Sequence, residues 1–225
     1  MGQLRIVSQS SEAFGSRPEA GWMLSEELKC FKGKNTVVLG ILRGGIIVAR
    51  EIAIRLDARL DIVLSRKIGA PINPELAVGA VSENGELFVN KETALYTGAD
   101  AMYIQQEKKR QMAEIKRRTT LFRSIQPKVP LKAKVVIVTD DGVATGATMQ
   151  AALWAVRQEQ PIKLIAAIPV GPQENVKRFT QDADEVVCLK APFSFSSVGQ
   201  FYLGFEQVED KQVIEILKSY KEKMI

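Results

Sequence analysis

The stretch VVIVTDDGVATGATM, residues 135–149, decides how this chain folds. Its apolar beginning, with the preceding lysine, predicts a buried strand over residues 134–139. Two adjacent aspartates and a turn of small residues follow, and a helix is expected from about Ala147 to Arg157. The glycines and threonines of the turn let its backbone N–H groups curl around a phosphate at the N-terminus of that helix.

The two aspartates, Asp140 and Asp141, come at the carboxyl end of the strand, where open α/β sheets bind ligands. They lie too close to the anion-binding turn to hold a phosphate, but they suit vicinal sugar hydroxyls and the water shell of a divalent cation. The turn lacks the Gly-Lys-Ser/Thr ending of a Walker A sequence. The alternative is a tight strand–helix turn in which one aspartate caps the helix, although a cap needs neither the second acid nor the threonines.

Outward from this stretch, strands and helices alternate along the chain. Strands are predicted over residues 36–42, 60–64, 134–139, 162–169 and 185–189, and helices over residues 16–31, 46–56, 102–123, 147–157, 176–180 and 209–221. The order β-α-β, insertion, β-α-β, β predicts an α/β protein with a doubly wound, mainly parallel sheet.

Residues 68–90 interrupt this order. Two strand candidates, Leu76–Ser82 and Glu86–Val89, meet at Asn84-Gly85, which is a strong signal for a two-residue hairpin. Such a hairpin would project from a parallel sheet rather than extend it. Its glycines and prolines predict that the insertion is the most mobile part of the core.

The amino-acid composition excludes several kinds of catalytic and metal site. The 225 residues suit one domain and contain no histidine, which excludes a Ser-His-Asp triad and histidine ligands for zinc. The two cysteines, Cys30 and Cys188, have apolar neighbours and are expected to be buried, reduced thiols. With no signal peptide and no apolar stretch near 18 residues, the sequence predicts a cytoplasmic protein without a membrane partner.

The positive charge is concentrated in one predicted helix, residues 102–123. It holds seven basic groups and two acids, which matches the net charge of +5 for the whole chain. A basic face of this kind binds phosphates or nucleic acid, and the alternative is an ordinary solvated helix face.

Residues 135–149 resemble the signature of the type I phosphoribosyltransferases, which bind 5-phosphoribosyl-1-diphosphate (PRPP). The resemblance implies that Asp140 and Asp141 hold the ribose 2- and 3-hydroxyls and help to seat Mg²⁺, and that residues 144–148 bind the 5-phosphate. The implied PRPP-binding loop consists of Gly142, Val143, Ala144, Thr145, Gly146, Ala147 and Thr148.

Two further segments are similar to motifs of the same family. Val38–Gly45 (VLGILRGG) resembles the diphosphate loop, which implies that Arg43, Gly44 and Gly45 bind diphosphate and that the Leu42–Arg43 peptide bond is cis. Ser65–Pro71 (SRKIGAP) resembles the start of the flexible catalytic loop, which implies catalytic roles for Arg66 and Lys67. Taken alone, the first is also compatible with a plain glycine turn and the second with a charged strand end.

From Phe14 to Leu217 the chain resembles a group of predicted bacterial phosphoribosyltransferases. This likeness implies a single domain over residues 1–225, with a core over about 34–190 and a small hood formed by the N-terminal and 191–225 segments. Five of the 15 aromatic residues lie within residues 191–205. They suit either a surface that stacks on a flat heterocycle or the packing of a C-terminal lobe.

One position departs from the hypoxanthine-guanine members, whose phosphate loop carries an aspartate as proton acceptor. Ala144 stands there, as in adenine-type loops, and the chain has no histidine to replace it. Glu75 is the candidate base, and a solvated loop acid is the alternative.

The function implied is a phosphoribosyltransferase that moves 5-phosphoribosyl from PRPP, with Mg²⁺, to a small-molecule acceptor such as a nitrogenous base. Catalysis would be mainly electrostatic and positional. A PRPP-sensing regulator that binds nucleic acid through residues 102–123 is the alternative. The oligomeric state stays open, a homodimer being one option.

Overall fold

The computed structural model describes residues 1–223, and for residues 1–221 also the side chains. The strands are β1 (Gln3–Ser8), β2 (Thr36–Ile41), β3 (Arg59–Val63), β4 (Ser65–Gly69), β5 (Ala77–Ser82), β6 (Leu87–Val89), β7 (Val135–Thr139), β8 (Lys163–Val170) and β9 (Glu185–Lys190). The α-helices are α1 (Arg17–Glu27), α2 (Gly45–Leu56), α3 (Lys91–Thr97), α4 (Ala101–Arg123), α5 (Ala147–Gln158), α6 (Gln173–Arg178) and α7 (Asp210–Lys223). Among these helices, none is long and apolar enough to cross a membrane.

Six strands form one parallel sheet in the order β1-β9-β8-β7-β2-β3. Successive residues of the central strands enter different cores: Ile137 packs with α1 and α2, whereas Val136 and Val138 pack with α5. A strand that is buried on both faces needs apolar side chains at successive positions. The continuous apolar sequence of β7 meets this requirement. The predicted α/β architecture with a doubly wound, parallel sheet is confirmed.

Three elements were not predicted. The strand β1 has an alternating sequence, QLRIVS, and lies at the sheet edge as the parallel partner of β9. The strand β4 and the short helix α3 lie at the two ends of the insertion, β4 overlapping its start and α3 following its last residue. The prediction for one thiol was also wrong, because Cys30 is exposed on a short 3₁₀ turn, while burial of Cys188 raises its thiol pKa to about 12.

The insertion forms a second, antiparallel sheet in the order β4-β5-β6 instead of extending the first. Its hairpin turn holds three residues, Glu83–Gly85, since the N–H of Ser82 donates to the carbonyl of Glu86 and Gly85 takes a positive φ of 79°. The expected two-residue turn is therefore wrong by one position. The sheet packs against α5, where Phe88 lies 4.6 Å from Trp154 between ring centroids. The mobility of the insertion stays a prediction.

A buried ion-pair cluster fixes the end of α4 to both sheets. Arg123 donates to Asp61 on β3 at 2.6 Å and to Glu83 in the hairpin turn at 2.7 Å. Asp61 is 1% exposed and also accepts the backbone N–H of Val129 at 2.9 Å. Burial raises the pKa of Asp61, although Arg123 acts in the opposite direction.

The N-terminal and C-terminal segments of the described chain meet beside the main sheet. Phe14 forms a β-bridge with Tyr202, and its ring packs 5.4 Å from the tyrosine ring. Ser16 caps α1 by accepting the N–H of Glu19, as its sequence predicts. Most of the clustered aromatics pack on one another: Phe201 and Tyr202 are buried, whereas Phe193 is exposed.

Candidate active site

Two of the predicted motifs meet at the carboxyl ends of adjacent strands. Gly40 on β2 pairs with Thr139 on β7, so the loops that follow these strands leave the sheet side by side. A Cβ atom on Gly45 would lie 2.8 Å from both the Cα of Asp140 and the carbonyl oxygen of Thr139. The diphosphate-type loop and the aspartate pair, separated by almost one hundred residues, are thus in backbone contact.

The loop between β7 and α5 presents its backbone toward solvent at a helix N-terminus. Within residues 1–223, the N–H groups of Ala144, Thr145, Gly146 and Thr148 donate to no backbone or side-chain acceptor. Gly146 has a φ of 84°, and a Cβ there would meet the Phe179 ring at 2.9 Å, so glycine is required. Free donors of this kind at the positive end of a helix dipole can bind an anion.

Val143, which precedes these residues in the same loop, uses its N–H within the protein. The N–H of Val143 donates to the carbonyl of Val170 at 2.9 Å, and its side chain is buried with α5 and α6. Asn175 supports the loop from α6 by donating to the carbonyl of Ala144 at 2.6 Å. Among the residues of the predicted PRPP loop, Val143 is therefore placed to hold the loop rather than to offer its N–H to an anion.

A crystal of this protein grown in sulfate or phosphate should hold an anion on the backbone N–H groups of residues 144–148. The reason is the set of unused donors at the start of α5. An electron-density map from crystals grown with the anion, compared with one from anion-free crystals, checks this. An ordered loop with no anion at high sulfate concentration would contradict it.

The aspartate pair is electrostatically uneven. Burial, and next the negative charge of Asp141, raise the pKa of Asp140 well above its ordinary value. Asp141 instead forms an ion pair with Arg17, whose Nε lies 2.8 Å from its carboxylate. The hydroxyl of Tyr202 donates to the carbonyl of Asp141 at 2.6 Å. Among residues 1–221 Asp140 has no ion-pair partner, so a cation or the hydrogen-bond donors of a ligand would stabilise its carboxylate.

Arg17 is a site residue that the sequence analysis missed. It stands in the first turn of α1, where the capping motif explained the local sequence completely. Its guanidinium carbon lies 4.0 Å from the centre of the Phe205 ring, and it donates to the carbonyl of Glu206 at 2.9 Å. No local pattern shows that this arginine crosses to an aspartate 124 positions away.

The diphosphate-type loop begins with a cis peptide bond between Leu42 and Arg43, as the resemblance implies. The Arg43 guanidinium lies 3.8 Å from Asp210 at the start of α7. Gly44 faces the carboxylate of Asp141, so a side chain there has no room. The loop therefore offers its backbone to a ligand next to the aspartate pair, while its one long side chain reaches toward the C-terminal helix.

The third motif lines a cavity of about 330 Å³ between β4, α4 and α5. Arg66, Lys67 and Glu75 all contribute to it, together with Leu42 from the diphosphate-type loop and Thr148 from the phosphate loop. Lys67 forms an ion pair with Glu75 at 3.0 Å, and the Glu75 side chain is 66% exposed. Every residue predicted to be catalytic thus belongs to one cavity, and the roles of Arg66, Lys67 and Glu75 stay predictions.

The basic helix α4 supplies cavity residues that were not predicted. Tyr103, Glu107, Arg110, Gln111 and Arg118 line it. The signal in the sequence was the concentration of charge in residues 102–123, but the sequence does not reveal which side of the helix faces β4. Other basic residues of the same helix, such as Lys109 and Lys116, are exposed.

Comparison with known proteins identifies the family. Residues 19–204 match the model described as "Phosphoribosyl transferase domain", which covers most of the chain. The chain therefore belongs to the phosphoribosyltransferase family, and the resemblance drawn from the three motifs is confirmed.

Particular relatives agree with this assignment. Two Mycobacterium tuberculosis proteins, from strains CDC 1551 and H37Rv and provisionally named phosphoribosyl transferases, are each 41% identical over 204 residues. That match covers 91% of this chain and 46% of each relative, so the chain spans about half the length of these relatives. The crystal structure of TT1426 from Thermus thermophilus is similar, with a TM-score of 0.87, 44% identity and coverage of 92% of this chain and 99% of that one.

Proposed function

We propose that this chain transfers a 5-phosphoribosyl group from PRPP to a nitrogenous acceptor and releases diphosphate. One observation carries the proposal: the phosphate loop, the aspartate pair and the diphosphate-type loop meet at one edge of the sheet, beside a cavity lined by Arg66 and Lys67. A ligand with a phosphate at one end, two sugar hydroxyls in the middle and a diphosphate at the other end matches that sequence of groups.

The reaction breaks the bond between C1 of the ribose and the diphosphate oxygen, and the electron pair leaves with the diphosphate. A ring nitrogen of the acceptor forms the new bond to C1 and gives up its proton. Arg66 and Lys67 stabilise the charge that grows on the leaving group, while residues 144–148 hold the 5-phosphate and Asp140 and Asp141 hold the ribose hydroxyls. The proposed catalysis therefore needs no covalent intermediate on the protein.

We propose Mg²⁺ as the accompanying cation, held at Asp140 and Asp141. Within residues 1–221, no group of three or more acidic or cysteine side chains could hold a metal ion alone. Mg²⁺ accepts such a site, because it commonly keeps waters and takes its remaining ligands from substrate phosphates. When bound, the cation neutralises charge on the diphosphate. It would also counter the effect of burial and of the Asp141 charge, which together raise the pKa of Asp140.

Glu75 is the proposed recipient of the acceptor's proton. Glu75 lies in the cavity, where its carboxylate forms an ion pair with Lys67 at 3.0 Å. Either Glu75 takes the proton after Lys67 has moved to the diphosphate, or the acceptor loses it to water. A Glu75→Gln variant with unchanged turnover would select the second route.

The test is a screen for PRPP-dependent diphosphate release against purines, pyrimidines and pyridine carboxylates, with Mg²⁺ present. We expect turnover with at least one acceptor. An Asp140→Asn/Asp141→Asn variant also breaks the Arg17–Asp141 ion pair, so circular dichroism is used first to show that it is folded. It should then bind PRPP at least about tenfold more weakly in calorimetry, since it loses the hydroxyl acceptors and the cation site.

Two results would contradict the proposal. Unchanged PRPP affinity in the double aspartate variant would show that the ligand binds elsewhere. Tight PRPP binding without turnover, together with salt-sensitive binding of an oligonucleotide, would instead support the PRPP-sensing regulator.

A further inference from the structure

The cavity beside the diphosphate-type loop has a wall that no motif predicted. Arg110 and Arg118 of α4 face Arg66 and Lys67 of β4 across it. Four cations and two acids, Glu75 and Glu107, therefore line one space of about 330 Å³.

Arg66 is the least compensated of these cations. Among residues 1–221, no carboxylate lies within 4.0 Å of its guanidinium, and its Nε donates to the amide oxygen of Gln111 at 2.9 Å. Gln111 is buried, and its amide nitrogen is held by Glu107 at 2.6 Å. This chain of hydrogen bonds fixes the guanidinium in place without neutralising it.

The charged residues of α4 also act on Arg66 and on one another. Burial lowers the pKa of Arg66, and the positive charges of Arg118 and Arg110 lower it further, while Glu114 and Glu107 act in the opposite direction. Glu114 is shared by Arg117 and Arg118, whose hydrogen bonds lower its pKa to about 2. Arg117 has a second acid, Asp210, at 4.0 Å, whereas Glu114 is the one carboxylate within 4.0 Å of Arg118 among residues 1–221.

We propose that α4 is the cationic wall of the diphosphate subsite, with Arg118 inside and Arg110 at the rim. The side chain of Arg118 is 23% exposed and that of Arg110 is 78% exposed, which separates the two positions. Because Leu42 of the diphosphate-type loop lines the same space, a diphosphate there would lie beside that loop. The forked guanidinium groups suit phosphate oxygens. This inference rests on the proposed function and names a binding role for the basic helix within it.

The experiment is calorimetric titration of the full chain with inorganic diphosphate, with and without Mg²⁺. Arg118→Gln should weaken binding by about tenfold or more and Arg110→Gln by a smaller factor, since each loses a charge-assisted contact. Lys116→Gln and Lys109→Gln are the matched controls, because both lysines are exposed on the same helix outside the cavity lining. Each control should stay within about twofold of the unmodified chain, since distant surface charges act weakly.

Circular dichroism and thermal melting establish that each variant is folded before its affinity is compared. Arg118→Lys keeps the positive charge but loses the forked guanidinium group. It should therefore bind diphosphate more tightly than Arg118→Gln and more weakly than the unmodified chain. Unchanged diphosphate binding in Arg118→Gln, or equal losses in the lysine controls, would overturn the inference. Because the titration needs no acceptor and no turnover, failure of the proposed transfer reaction and failure of this subsite are distinguishable.

Discussion

Arg123→Met is expected to lower the free energy of unfolding by about 3–5 kcal/mol, the largest loss among single changes considered. The substitution keeps most of the side-chain volume but leaves two carboxylates, Asp61 and Glu83, without their shared partner in a buried place. Removing one member of a buried ion pair costs more than the pair contributes, because the remaining charge stays desolvated. Urea denaturation at pH 7 measures the effect.

The pH dependence of this loss has a definite sign. The pKa of Asp61 is already raised above 3.8 in the folded state, and removing Arg123 raises it further. An acid whose pKa is raised by folding binds its proton more tightly in the folded state than in the unfolded chain, so protonation stabilises the fold. The stability lost in Arg123→Met should therefore shrink as the pH falls from 7 toward 4.

Two comparisons make this result decisive. Arg117→Met, at a 56% exposed position of the same helix, should change stability by less than about 1 kcal/mol. Asp61→Asn/Glu83→Gln/Arg123→Met should regain much of the loss, because it removes the unpaired charges together. A single Arg123→Met variant as stable as the parent would show that the cluster does not hold α4.

Gly45→Ala should destabilise the fold by about 1–3 kcal/mol and weaken PRPP binding, although alanine is the better helix former. Intrinsic propensity alone favours alanine in the first turn of α2 by up to about 1 kcal/mol. The added methyl group would, however, lie 2.8 Å from the backbone of β7 at Thr139 and Asp140. Backbone at the end of a central strand cannot move aside cheaply, so the two loops would be forced apart where the ligand binds.

The matched control is Gly204→Ala, since a Cβ at that position meets no atom within 4 Å. It should be neutral or slightly stabilising. Thermal melting and PRPP calorimetry on both variants test the close approach. A Gly45→Ala variant with greater stability and unchanged affinity would show that propensity outweighs the contact.

The main sheet could be predicted from the sequence because its strands are buried on both faces. Continuous apolar runs such as Val135–Thr139 have few other structural uses, and the loops that follow them carried the family motifs. The edge strand β1 was missed for the same physical reason, because one partner and a half-exposed face leave only a weak alternating pattern. The burial of Cys30 was wrongly expected because apolar sequence neighbours do not fix which way a residue on a short turn faces.

The candidate site was predictable where one segment holds several of its groups. Asp140, Asp141 and the turn after them are adjacent in sequence, so their type and spacing are visible at once. Arg17 and Arg118 could not be assigned in this way, since each reaches the site from a helix whose own local pattern is ordinary. Which side of a helix faces a distant loop depends on tertiary packing. A short segment of the sequence does not show it.

The placement of β1 beside β9 has a consequence for the order in which the protein forms during synthesis. Gln3 pairs with Glu185, so β1 leaves the ribosome long before its partner β9 and must wait for it. At roughly 5–20 residues per second, that wait is on the order of 10–40 s. During this interval the central strands can already assemble, while the segment that ends in the aromatic bridge at Phe14 stays without its partner, Tyr202. The nascent chain would thus complete its phosphate loop well before the aromatic lobe closes beside it.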